Sequence, residues 1–373
     1  MSGVTAAEAV EPSRLKILLL CDNHPAHAAT LHAHVECFER YSRHAVTTFN
    51  PCYAPDVTVP DPDEYDVVVL HWSLVITMDS YLSPALRARL AASQGLKVQF
   101  IQDEHRWVNE VTSMMRYLGV HVIFTVAPPS EAPKLYGDRV PGAEVVHTLT
   151  GFVPEELVGL EVPPPSERPI DIGYRGRQLP YWGGARTQEK VLIGERVLER
   201  AAAYGLRCDI AWTEESRLYG EAWFDFLLSC KAVLGTSSGA SIADYDGRVE
   251  REVRAFLEER PAATFAEVHD TVLRPYEGNI DIDVVSPRIF EAAATRTALV
   301  LFPGRYSGIV KPWVHYFPLA LDAGNLEEVA RCVRDAASVT RLTDRAYDDL
   351  VGSGRYALQA FVREFDAIVE RSV

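Results

Sequence analysis

Apolar runs of strand length alternate with amphipathic stretches from the start of the chain. The first run, Leu15 to Leu20, is apolar apart from Lys16 near its start, and Ile17 to Leu20 has no alternation, as a strand covered on both faces of a sheet would show. A helix is predicted over about 27–41, followed by strands near 44–49, 66–70, 98–101, 121–125 and 144–148. Helical spacing fits between them at 82–93 and 107–118. Such alternation predicts an α/β unit built on a mostly parallel sheet.

The pattern breaks at Glu161 to Pro169, where Pro163, Pro164 and Pro165 remove backbone donors and hold the chain extended. Beyond it the alternation restarts, with strands expected at 170–174, 207–212, 232–235 and 298–302. Helices are expected at 187–204, 221–229 and 287–294, and more helices complete the chain. Residues 236–286 are less regular, holding two helical patterns (248–259 and 265–273) and a loop from Tyr276 to Asn279. The division is therefore 1–162, a linker at 163–169, a second unit at 170–345 and a final helix within 346–373. Two α/β, Rossmann-like lobes joined once would face each other across a cleft.

A length of 373 residues agrees with two lobes, and 47% hydrophobic with 24% charged residues is the composition of an ordinary globular chain. No apolar run reaches the roughly 18 to 20 residues that a membrane span needs. The first residues have neither the basic start nor the apolar stretch of a signal peptide. Six scattered cysteines without a C-x-x-C pair read as reduced thiols, which favours a cytoplasmic setting. The net charge of −15 opposes nucleic acid and anionic membranes as partners, although a local basic patch would still bind a small anion.

In open parallel sheets ligands sit beyond the carboxyl ends of the strands. Here those segments read Cys21-Asp22-Asn23-His24, His71-Trp72-Ser73 and Gln102-Asp103-Glu104-His105-Arg106-Trp107. Asp22 and Asp103 have two readings, as caps of the helices that follow or as members of a polar site. His24, His27, His32 and His34 share helical spacing, but no metal-ligand motif accompanies them, so solvated or core histidines are the expectation and no metal site is assigned. No G-x-G-x-x-G follows Leu20, which leaves a dinucleotide cofactor unsupported.

Ser286-Pro287-Arg288-Ile289-Phe290-Glu291, with Gly304-Arg305-Tyr306-Ser307-Gly308 beyond the next strand, resembles the donor-site helix of retaining glycosyltransferases of GT-B fold, the family 4-like group. Tyr276–Asn279 and Ser238–Gly247 are similar to a bacterial subgroup, and the resemblance covers most of residues 170–360. It implies a cytoplasmic enzyme that moves a sugar from a nucleotide sugar, bound as substrate with no separate cofactor, to a saccharide or natural-product acceptor. In that group two glutamates eight positions apart serve the donor sugar and the ribose. Glu291 matches the second, while Asp283, one methylene shorter, stands in the first position and is the implied catalytic carboxylate. The final helix, around 356–370, would cross back to the first lobe.

Leaving diphosphate needs cations, and Arg175 and Arg177 end the turn after the first strand of the second unit. Lys190 is the second cation that the resemblance implies. The amides of Gly304, Ser307 and Gly308 offer a close approach to diphosphate or sugar. Each has a plainer reading, as surface charge or ordinary turn chemistry. Asp103, His105 and Glu104 are the candidates for holding donor or acceptor hydroxyls. Asp244-Tyr245-Asp246 and Asp281-Ile282-Asp283 also match a metal-binding string of another glycosyltransferase fold.

Two other classes compete. Gly235-Thr236-Ser237-Ser238-Gly239 satisfies G-x-S-x-G after a strand, with Asp283 and His315 downstream in hydrolase order, yet a nucleophile elbow leads directly into a helix and residues 240–247 have poor helical signals. Nucleotide-sugar epimerases share the two-lobe plan, and a non-catalytic partner subunit would keep the fold without the chemistry.

Overall fold

The computed structural model describes residues 14–53, 58–153 and 155–373. In the first half, β1 (Lys16–Leu20), α1 (Ala29–Tyr41), β2 (Ala45–Phe49), β3 (Val67–Leu70), α2 (Pro84–Ala92) and β4 (Leu96–Ile101) follow one another. Helix α3 (Val108–Leu118), β5 (Val122–Thr125), α4 (Ala132–Leu135) and β6 (Glu144–His147) complete that half. The strands form a parallel sheet in the order β2-β1-β3-β4-β5-β6. All four residues of β3 are buried, which is why its sequence is Val-Val-Val-Leu with no alternation.

The second half runs through β7 (Ile170–Arg175), α5 (Ala185–Ala201), β8 (Cys208–Ala211), α6 (Glu221–Ser229), β9 (Cys230–Gly235), α7 (Arg248–Glu259) and α8 (Phe265–Val268). It ends with α9 (Pro287–Ala294), β10 (Ala298–Leu301), β11 (Phe317–Pro318), α10 (Leu326–Arg334), α11 (Ala336–Tyr347) and α12 (Leu358–Ser372). Its sheet is also parallel, in the order β11-β10-β9-β7-β8. The first strand of each half is an inner strand, so the chain reverses direction across the sheet at β1/β3 and at β7/β9. Loops part at such a point and leave a crevice.

Helix α12 packs into the first half. Phe365 is fully buried against Phe38, Phe100 and Phe124, and Asp366 accepts from Ser42 Oγ (2.7 Å) and the Arg43 amide (3.0 Å). The proline-rich segment is less of a free tether than its composition suggests. Arg168 is only 2% exposed and donates to carbonyls of Pro163, Cys230 and Thr295 and to Thr297 Oγ1, with no carboxylate beside it. Burial lowers its pKa to about 10, and its hydrogen bonds fasten the segment to the second half.

The irregular stretch after β9 joins the two halves. Ala243, Ile280, Ile282 and Val284 belong to the apolar core under the first sheet. The Asp244 amide donates to the His105 carbonyl (2.7 Å), and Asn109 donates to Tyr245 (2.9 Å). Glu250 accepts from Arg106 (2.8 Å) and from the Trp107 indole (3.0 Å). Trp107 packs so closely over Gly247 (φ +74°) that a Cβ there would lie 2.5 Å from its ring. Among the described residues no helix is long and apolar enough to cross a membrane.

Candidate functional site

The loops that leave the two switch points face one cleft. It comprises two cavities of about 390 and 320 Å³, and Thr30, Arg177, Lys190, Ser238 and Pro287 line both. The larger lies beside the first sheet and takes Gln102 to Arg106 from the loop after β4. The smaller lies over the second sheet and takes Arg175, Trp223, Arg288 and Glu291.

The smaller cavity is cationic. Arg177 is exposed, and neither its side chain nor that of Lys190 has a hydrogen bond or ion pair among the described residues. Lys190 is held down to about 8, first by burial and then by the neighbouring Arg288. Arg288 carries no ion pair among the described residues and stacks over Trp223 (4.8 Å) and Tyr174 (5.9 Å). Glu291 accepts from the Trp223 indole at 2.8 Å through one oxygen, and burial raises its pKa. Arg175 differs from its neighbours, since its guanidinium is bound to Asp209 (2.9 Å) and lies 4.2 Å over Phe226. That pairing uses the charge expected of Arg175 at a phosphate, although the residue still lines the cavity.

Asp283, Gly304, Ser307 and Gly308 are not brought to the wall of either cavity. The Asp283 carboxylate accepts from the amides of Arg305 (2.9 Å) and Tyr306 (3.0 Å) and from Arg186 (3.1 Å). Ser307 Oγ accepts from the Val285 amide (3.1 Å), and the Gly308 amide donates to Arg305 (2.7 Å). The turn expected to approach an anion thus has two of its amides bound to the chain's own Asp283 carboxylate.

In the larger cavity Glu104 is buried. One oxygen accepts from the Ala127 amide (2.9 Å) and the Thr125 hydroxyl, and burial pushes its pKa up to about 7. His105 lies beside it with a pKa lowered by burial. Asp103 occupies an exposed left-handed turn (φ 56°). Neither Asp22 nor Asp103 caps the next helix, because Ala28 and Trp107 occupy the cap positions of α1 and α3, without a side-chain cap. Asp22 instead binds His27 (2.8 Å) and Asn50 (3.3 Å).

The hydrolase reading fails on geometry. Ser237 Oγ accepts from Arg186 (2.9 Å), whereas His315 is bound at Lys311 N (3.2 Å) and Asp349 (3.1 Å), so serine, histidine and Asp283 form no triad. After β9 the chain runs antiparallel to Val284 and reaches no helix until Arg248. The two Asp-x-Asp strings are also engaged: Arg186 binds Asp281 and Asp283, and Asp244 and Asp246 accept backbone amides of α7. Among the described residues no three His, Cys, Asp or Glu side chains are grouped to hold a metal.

Sequence reading gave no role to Arg288 or Trp223. Arg288 had a legible signal, since it lies three residues before Glu291 and so on the same helical face. Trp223 had none, because only the packing of α6 against α9 brings its indole to Glu291.

No family model matches the chain, and no curated protein matches it in sequence. Solved structures match in shape. An α-glucosyltransferase in complex with UDP and a 13-mer DNA containing a central A:G mismatch superposes with a TM-score of 0.55 at 10% identity, over 95% of this chain and 99% of that one. Anabaena Alr3699/HepE in complex with UDP-glucose superposes with a TM-score of 0.54 at 12% identity, over 96% and 100% of the two chains. The fold is GT-B. At such identities the likeness is one of architecture, and it spans both lobes, whereas the resemblance in the sequence covered most of residues 170–360. In GT-B terms the cationic cavity lies over the second sheet and the carboxylate-and-histidine cavity beside the first.

Proposed function

We propose that this protein is an enzyme, a glycosyltransferase that moves a sugar from a nucleotide sugar to a saccharide or natural-product acceptor. The observation that carries this reading is the group of Arg177, Lys190 and Arg288, free of ion pairs among the described residues, with Glu291 on the same wall. A chain of net charge −15 keeps three cations unpaired where a diphosphate would sit. Glu291 has its second oxygen to offer to ribose hydroxyls. As the sugar departs, charge grows on the diphosphate, and the same cations stabilise it without requiring a metal. As the bond from the sugar to the diphosphate breaks, the acceptor oxygen bonds to the anomeric carbon on the same face and gives its proton to the leaving phosphate, so the configuration is retained. Asp103, Glu104 and His105 hold hydroxyls from the opposite wall. The acidic surface favours a small acceptor over nucleic acid, and six unpaired cysteines agree with a reducing, cytoplasmic setting.

The test is turnover of UDP-, GDP- and dTDP-sugars, first alone and then with saccharide acceptors, in the presence of EDTA. Slow release of free sugar alone, and of an anomer-retained glycoside with acceptor, is the expected result. An epimerised donor, or no binding of any nucleotide, contradicts the proposal.

A further inference from the structure

The larger cavity has a wall that the reading above leaves without a role. His34, on α1, lines the cavity, is only 7% exposed, and lies among Phe38, Phe100, Phe152 and Phe361. Its Nδ1 is 3.0 Å from Nε2 of His71, itself fully buried. Beyond it, His71 Nδ1 receives the Ser73 amide (3.1 Å) and lies 2.9 Å from Ser73 Oγ, while Ser73 Oγ accepts from the Asp22 amide (2.8 Å).

These contacts fix the hydrogens in order. Backbone amides only donate, so His71 Nδ1 is an acceptor and carries no hydrogen. The Ser73 hydroxyl, accepting from Asp22, directs its own hydrogen to the same nitrogen. The neutral His71 ring therefore holds its hydrogen on Nε2 and donates to His34 Nδ1. That leaves the hydrogen of His34 on Nε2, which has no partner among the described residues. Burial lowers the pKa of both rings, so they stay neutral and the relay does not scramble by protonation.

We propose that His34 presents a fixed, neutral Nε2–H to the cleft as the hydrogen-bond donor for a hydroxyl oxygen of the bound sugar, with His71 and Ser73 as its positioning residues. This rests on the glycosyltransferase reading for the identity of the ligand alone. An uncharged donor in an aromatic wall, with the indole of Trp72 next to it, suits a hydroxyl-bearing, uncharged ring better than a phosphate.

Nitrogen NMR of histidine-labelled protein tests the tautomer without any ligand, and His34→Gln and His71→Gln assign the signals. The expected result is a neutral His34 with its hydrogen on Nε2, and a hydrogen on Nδ1 overturns the proposal. Additions of UDP-, GDP- and dTDP-glucose, of the three diphosphates, and of glucose with each diphosphate come next. Movement of the Nε2 signal with a nucleotide sugar places the donor's sugar there. Movement only with free glucose places the acceptor there. A signal that responds to no sugar while a diphosphate binds overturns the contact and leaves the nucleotide site standing. A protein that binds no nucleotide at all fails the glycosyltransferase reading, and free glucose alone then decides the His34 contact. His34→Phe keeps the ring in its aromatic wall and removes the donor. It should weaken the sugar that moved the signal about threefold to tenfold while diphosphate affinity holds. Unchanged sugar affinity also counts against the proposal.

Discussion

Over the second sheet, Arg177, Lys190 and Arg288 face the cleft without a carboxylate paired to any of them among the described residues. Beside the first sheet the buried Glu104 and His34 already have partners: Glu104 is bound to Ala127 and Thr125, and His34 to His71. One wall has unspent positive charge and gains most from a ligand that brings negative charge. The other has its buried Glu104 and His34 already hydrogen-bonded, so these two favour ligands by where hydroxyls fall. A transferase needs both, since the diphosphate supplies grip and the sugar supplies selectivity.

The comparison breaks most easily at the cations. Lys190→Met and Arg288→Met should each weaken nucleoside diphosphate binding about tenfold to a hundredfold, the range for charge-assisted hydrogen bonds of roughly 1.5 to 3 kcal/mol, while melting without nucleotide does not fall. Calorimetry that finds less than a twofold change would make the two walls alike.

A pH experiment sharpens the wall beside the first sheet. The folded pKa of Glu104, about 7, stands above the value near 4.5 of a free glutamate. Its contribution to stability is therefore fully present below about 4.5 and is lost as pH rises through about 7. Glu104→Gln should be more stable than the parent at pH 8, by on the order of 2 kcal/mol, and nearly equal to it at pH 4.5. Melting curves at both pH values check this. Glu189, raised to about 7 behind the cleft, slopes the same way and remains in the variant.

The contact between the walls gives a smaller effect of opposite sign. Arg106, Arg254 and Trp107 hold the Glu250 carboxyl down to about 2, so its stabilisation is present above about 4.5 and is lost as pH falls toward 2. Both arginines are about half exposed, which screens the pairs, and Glu250→Gln should cost about 1 kcal/mol at pH 7 and little near pH 2. Smallest of all, Ser237 should not react with a fluorophosphonate probe, and labelling there would revive the hydrolase.

Much of the fold was legible because both sheets are parallel and buried. Runs such as Leu15 to Leu20 and Val67 to Leu70 have no other economical explanation than inner strands. The two-residue β11 was not, since Phe317 and Pro318 carry no period. At the site, Lys190, Arg177, Glu291, His105, Glu104 and Asp103 all line the cleft, as motif position and strand ends implied. Asp283 and the turn at Gly304–Gly308 do not, because a carboxylate and a set of amides that each suit a substrate also suit one another. Spacing cannot distinguish those outcomes. Nor did it find the His34–His71 pair, whose members lie 37 residues apart and meet only when α1 packs beside β3.

The central claim is that the wall carrying Glu291 binds a nucleoside diphosphate. Calorimetric titration of the parent protein and of Glu291→Gln with UDP, GDP and dTDP tests it directly. The account predicts that one of the three binds, that the substitution raises its dissociation constant about tenfold or more, and that the melting temperature without nucleotide changes little, because glutamine keeps an oxygen that can accept from the Trp223 indole. Equal affinities with a lowered melting temperature, or no binding of any of the three by the parent, would contradict it.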